Sequence, residues 1–106
     1  MKARILISIL LCAAFGALNA QEKEVQEKQF DRPGYGGQRV NFCLSGGGCG
    51  QEAANLFCTN EGYDKATSFT RDPQVGQAVA ADNDAVCRGN CDGFRSVTCS
   101  REMDPT

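Results

Sequence analysis

The sequence predicts a small disulfide-stapled α+β domain, with one helix packed on a short, mostly antiparallel sheet. Three observations lead there. Cys43, Cys49, Cys58, Cys87, Cys91 and Cys99 follow an N-terminal leader, leaving an even cysteine count once Cys12 is removed with it. A single segment, Gly50 to Glu61, carries helical periodicity. Several short runs punctuated by Asp, Asn, Gly and Pro read as strands joined by turns.

Residues 1–20 read as a signal peptide. Lys2 and Arg4 supply its positive end, Ile5 to Leu11 with Ala13, Ala14 and Phe15 its apolar centre, and Ala20 a small residue at the cleavage point. The apolar run is shorter than the ~20 residues a spanning helix needs, so no stable membrane insertion is expected after cleavage. Leu11 stands before Cys12 where a lipoprotein leader would carry a small residue. The expected location is therefore secreted or periplasmic, an oxidising setting in which clustered cysteines form disulfides. Zinc is the competing use of such cysteines. The spacings C-x5-C-x8-C and C-x3-C-x7-C contain no C-x2-C pair, and the chain has no histidine. Neither a metal nor a cofactor is expected.

Residues 21–37 (QEKEVQEKQFDRPGYGG) are charged, then rich in Pro and Gly, and offer only Val25, Phe30 and Tyr35 for burial. They read as a flexible arm. The cysteine-rich domain then spans 38–106, a size at which a hydrophobic core alone is marginal and staples matter. Gln38 to Leu44 alternates, with Val40, Phe42 and Leu44 on one face and Arg39, Asn41 and Cys43 on the other. Ser45-Gly-Gly-Gly48 breaks that strand and lets Cys49 turn back. The helix follows, with Ala53, Ala54, Phe57 and Cys58 as its apolar stripe and Glu52 in its first turn. Gly62 fits the left-handed position that ends a helix, and Tyr63 can fold back onto the last turn. Ala66 to Thr70, Val75 to Ala81 and Phe94 to Ser100 read as further strands. Asp72-Pro73, Asp82-Asn83-Asp84 and Asp92-Gly93 mark the turns between them.

Geometry prunes the cysteine pairings. Cys49 and Cys58 lie about 13 Å apart along the helix at ~1.5 Å per residue, beyond the ~7 Å that a disulfide tolerates. Cys58 faces the buried side and is expected to reach Cys99 on the last strand. Cys87 and Cys91 bracket Arg88-Gly-Asn90 and are expected to pair locally. Cys43 and Cys49 then close the glycine loop.

Without its leader the chain carries 9 Lys and Arg against 13 Asp and Glu, a net charge of −4, which argues against a nucleic-acid partner. The absence of histidine removes imidazole general bases and Ser–His or Cys–His nucleophile systems. Glu52, Glu61, Asp64, Asp72, Asp82, Asp84 and Asp92 could in principle supply a carboxylate pair for glycoside hydrolysis. A cleft to hold such a pair is hard to build at this size. Asp82-Asn83-Asp84, with Asn90 and Asp92, lacks the spacing of a helix-loop-helix calcium site and reads as turn chemistry. The glycine run before the helix lacks the lysine of a phosphate loop and reads as a hinge.

The run Phe57-Cys58-x3-Gly62-Tyr63-x2-Ala66-x2-Phe69, then Val75-Gly76, then Cys87-x3-Cys91-Asp92-Gly93-Phe94-x2-Val97-x-Cys99 resembles a small cysteine-rich module of secreted bacterial and plant proteins. The resemblance covers Cys43 to Cys99, and CDGF-x2-V-x-C is its most specific part. Cys58, Gly62, Tyr63, Ala66, Ser68 and Phe69 are also faintly similar to scavenger receptor cysteine-rich domains, which implies binding of an extracellular protein or glycan. The chain departs from that family in having no Trp and no N-terminal hairpin bearing Cys-Asp-Asp.

These readings converge on a non-enzymatic module that recognises a protein or glycan at an extracytoplasmic surface. The alternatives are a small secreted toxin- or inhibitor-like effector and a carboxylate-dependent hydrolase. Arg88, Asn90, Asp92, Phe94 and Arg95 are the expected binding residues, because loops on stapled scaffolds carry recognition.

Overall fold

A computed structural model describes residues 24–103. The leader, residues 1–20, lies outside them. One compact unit, Gln26–Arg101, holds the helix and the body of the sheet; Glu24, Val25, Glu102 and Met103 belong to a second unit. The elements are β1 (Glu24–Asp31), β2 (Gly34–Tyr35), β3 (Gln38–Val40), α1 (Gln51–Asn60), β4 (Lys65–Val79) and β5 (Val86–Met103). The sheet runs β1-β5-β4-β3-β2. The β4–β5 and β2–β3 pairs are antiparallel and β3–β4 is parallel. This is the expected α+β class.

Helix α1 begins at Gly50, whose φ of 68° is the reason a glycine stands there. A Cβ at that position would also meet the rings of Phe69 and Phe42 at 3.3 and 3.4 Å. Ala53, Ala54, Phe57 and Cys58 are buried, as the apolar stripe predicts. The helix ends at Gly62, with φ 93°. There the Gly62 amide donates to the Thr59 carbonyl and the Tyr63 amide to that of Cys58, so two end carbonyls are satisfied.

The core comprises Val40, Phe57, Phe94, Val97, the Cys58–Cys99 disulfide and small alanines. Its aromatic rings form two sets. Phe42, Phe69 and Phe94 pack at centroid distances of 5.0 to 6.0 Å. Phe57 meets Phe30 edge-on at 5.1 Å and Tyr35 at 5.8 Å, and Phe30 also contacts Tyr63.

That second set corrects the expected arm. Residues 24–31 and 34–35 form the two outer strands of the sheet, and Phe30 and Tyr35 seal the exposed end of Phe57. The two aromatics dock the segment despite its charged composition, because each covers a ring that the helix leaves uncovered. Gln21 to Lys23 lie outside the described residues.

Two expected turns are also corrected. Asp82 to Asp84 do form the turn between β4 and β5, closed by the Asp84 amide on the Ala80 carbonyl. Asp72-Pro73 and Asp92-Gly93 instead lie within the two long strands. Between the pairs Asp72↔Gly93 and Gly76↔Cys91, three residues of β4 (Pro73, Gln74, Val75) face one of β5, Asp92. Between Gly76↔Cys91 and Ala78↔Cys87, three residues of β5 (Arg88, Gly89, Asn90) face one of β4, Gln77. The two bulges cancel, so Val79↔Val86 regains the register of Lys65↔Ser100. Proline and left-handed residues fit here because bulged positions need no ladder partner. The expected strand Gln38 to Leu44 is paired only over Gln38–Val40; beyond it Cys43 and Cys49 form an isolated bridge.

All three expected disulfides are present: Cys58–Cys99, Cys43–Cys49 and Cys87–Cys91. The first ties the helix to β5. The last closes the β5 bulge, with α-carbons 6.2 Å apart.

Candidate functional site

Three ion pairs, Arg39–Asp72, Arg71–Asp92 and Arg95–Asp72, gather on and beside the bulged part of β4 and β5. Opposite the β4 bulge, Asp92 substitutes its side chain for a ladder partner. One carboxylate oxygen accepts the Gln74 amide at 3.0 Å, and the other accepts the Arg71 guanidinium through Nε at 2.9 Å and through Nη2. Arg71 also stacks over the Phe42 ring. The Arg71 guanidinium, and then the Gln74 amide, hold the Asp92 carboxyl below the usual Asp range.

Beside it stands a second group. Arg39 donates through Nη2 to Asp72 at 2.8 Å and to the Phe94 carbonyl at 2.6 Å. Arg95 reaches the other oxygen of Asp72 at 3.5 Å. The side chains of Arg39 and Asp72 are 24% and 17% exposed, while that of Arg95 is 59% exposed. The Arg39 hydrogen bond lowers the Asp72 pKa, with further contributions from Arg95 and Arg32. Arg39 Nε is buried without an acceptor. Arg32, exposed and in a left-handed conformation at φ 50°, donates its backbone amide to the Arg95 carbonyl at 2.7 Å.

A third carboxylate serves the glycine loop. Asp82 accepts the amides of Ser45 and Gly46 and the Ser45 hydroxyl, and these bonds, the Ser45 amide foremost, lower its pKa. Its oxygens are occupied by loop donors. Among the described residues no cluster of three or more His, Cys, Asp or Glu is placed to hold a metal.

The expected binding residues fare differently. Arg88, Asn90 and Arg95 are exposed. Arg88 approaches Gln77 Oε1 at 3.5 Å, at the β5 bulge, whereas Arg95 meets Asp72, beyond the β4 bulge. Asp92 is engaged in holding the ribbon. Phe94 is 0% exposed and belongs to the core, which corrects its expected surface role. The reason is its place in β5, where it packs between Phe42 and Phe69. Sequence reasoning missed Arg32, Arg39 and Arg71 as site residues. Arg39 lies on the polar face of an alternating run, and Asp72 is offered by the sequence as a turn residue and as one of seven candidate carboxylates, with no sign of its arginine partners.

On the outer side of α1, Leu44, Leu56, Asn55, Thr59 and Glu52 line a shallow, open and mostly apolar depression of about 390 Å³. It holds one carboxylate, Glu52. Compared with protein-family models, curated proteins and solved structures, the chain matches none. Three disulfides fit an extracellular or otherwise oxidising setting. Among the described residues no helix is long and apolar enough to cross a membrane.

Proposed function

We propose that the chain is a secreted or periplasmic recognition module that binds a protein or glycan at an extracytoplasmic surface through its bulged β4–β5 ribbon. The observation that carries this reading is the pair of cancelling bulges, one braced by Asp92 and the other closed by Cys87–Cys91. Bulges re-aim side chains from the regular alternation of a strand, and here the β5 bulge presents Arg88 and Asn90 on a rigid frame, with Arg95 farther along the same strand at the register shift between Thr70 and Arg71. Hydrolysis by paired carboxylates is less well supported. A general acid requires a carboxyl whose pKa is raised, whereas Asp72, Asp82 and Asp92 are all lowered by donors aimed at them.

The test is a glycan array together with co-purification, using the oxidised domain as bait. Replacing Arg88 and Arg95 together with Ala should weaken capture of the partner so found, with little change in thermal stability, as exposed sites usually behave. Unchanged capture by the double variant would remove the ribbon from the recognition surface. Lost turnover of a saccharide in a folded Asp72→Asn or Asp92→Asn variant would instead favour the hydrolase.

A further inference from the structure

We propose that Arg32, Arg39 and Arg95, gathered around Asp72, form a receptor for a phosphate monoester group. The inference rests on the recognition reading and gives its partner a chemistry. Arg39 and Arg95 share one carboxylate, one on each oxygen, so Arg39 is held in place before any ligand arrives and Arg95 stands beside it at a longer contact. Arg32 is tied next to Arg95 through its backbone amide. Buried Pro33, whose carbonyl accepts the Val40 amide, anchors the chain immediately after it. The carboxylate of Asp31, adjacent in sequence, accepts the Gln29 side-chain amide.

The charge of this cluster is lopsided. The Arg39 and Arg95 guanidiniums share the single carboxylate of Asp72 and Arg32 follows beside Arg95 in space, so cations outnumber the carboxylate they share, while Asp31 keeps its own charge next to Arg32. A phosphate monoester carries about −1.5 to −2 charge at neutral pH and would complete the neutralisation of these guanidiniums. Donors also outnumber acceptors. Arg39 Nε is buried without a partner, and Arg95, at 59% exposure, makes only a long contact to Asp72, so its remaining N–H groups face outward. Arg presents several N–H donors in a fixed fork that suits phosphate oxygens. Arg32 and Arg95 supply the accessible part of the receptor, and the partly buried Arg39 supplies charge behind them and fixes the shared carboxylate.

The experiment uses the oxidised mature protein, titrated by NMR and calorimetry with inorganic phosphate, with a soluble sugar phosphate, and with vesicles containing phosphatidic acid. Phosphate-dependent shifts of the Nε–Hε signals of Arg32, Arg39 and Arg95 are expected. Arg32→Ala and Arg95→Ala should each weaken binding by about tenfold, the scale of one charge-assisted hydrogen bond. Lys65→Ala, which removes an exposed cation elsewhere, should bind as the unaltered chain does. Saturation by the sugar phosphate assigns a soluble phosphorylated ligand, and binding confined to vesicles assigns a lipid headgroup. No binding in any arm, or equal losses in Lys65→Ala and Arg95→Ala, overturns the proposal. Far-UV circular dichroism and intact mass confirm that each variant is folded with its disulfides closed. A partner found by co-purification that still binds Arg32→Ala/Arg95→Ala removes the phosphate site and leaves the recognition reading standing.

Discussion

At the residue scale, three of the carboxylates that the sequence offers as functional candidates, Asp72, Asp82 and Asp92, are occupied by the fold. Asp82 closes the glycine loop and Asp92 braces a bulge. Their lowered pKa values, with that of Asp72, make a prediction about acid. A carboxyl whose folded pKa lies below its unfolded value, about 3.9 for Asp, adds stability at pH values above that figure. The contribution is lost as pH falls through the folded value. The thermal midpoint should therefore hold between pH 7 and about 5 and drop below about 4. Asp82→Asn should lower the midpoint at neutral pH and shrink the acid drop. Thermal melts across pH, with and without that substitution, check both. An unaltered midpoint down to pH 2.5 would contradict the assignment of these three carboxylates.

At the element scale, the helix does more than bury a stripe. Asn55 accepts the Ala66 amide at 2.9 Å, and Gln51 donates to the Ala66 carbonyl at 3.0 Å. β3 pairs with β4 only at Ala78 and Val79, so at Ala66 two helix side chains stand where a strand neighbour would. Ala66 is buried, and an unsatisfied amide there costs about 1–3 kcal/mol. Asn55→Ala should lose that amount in chemical denaturation, whereas Asn60→Ala should lose less, since its amide lies on the exposed end of the helix. β1 makes a second element-scale prediction. Removing the Phe30 ring should cost about 2 kcal/mol through lost burial against Phe57 and Tyr63. It should also expose residues 26–31 to proteolysis before the rest of the domain unfolds. Equal protection in Phe30→Ala would mean that backbone pairing to β5 alone secures the strand.

For the whole molecule, the three staples are unequal. Cys58–Cys99 links positions 41 apart, while the other two span separations of 6 and 4. Loop-closure entropy assigns about 4 kcal/mol to the long link and about 2 to each short one. The pair Cys58→Ala/Cys99→Ala should therefore destabilise roughly twice as much as Cys87→Ala/Cys91→Ala, measured by denaturant unfolding. The buried position of Cys58 and Cys99 adds a packing loss to the first variant. The short Cys87–Cys91 link should matter more to the ribbon than to global stability. Its removal should loosen Arg88 to Asn90 in amide exchange while leaving α1 protected.

The sequence by itself determined the fold class and the bounds of the helix to within a residue, and it favoured the three cysteine pairs that form, although spacing excluded only Cys49–Cys58. The helix is a local matter, a periodic stripe with a glycine at each end, and two of the cysteine pairs lie within 6 positions of each other. Only the tertiary structure decided the rest. Glu24 to Asp31 reads as an arm because its composition is charged, and it becomes a strand because Phe30 finds a ring to cover. Asp72-Pro73 and Asp92-Gly93 carry turn residues, yet turn chemistry and bulge chemistry use the same amino acids. Which one results depends on the opposite strand, and here each bulge is balanced by another across the ladder. The cluster of Arg32, Arg39, Arg95 and Asp72 draws on β3, β4, β5 and the link between β1 and β2. No sequence window contains it, because its members meet only through strand pairing between residues distant in the chain.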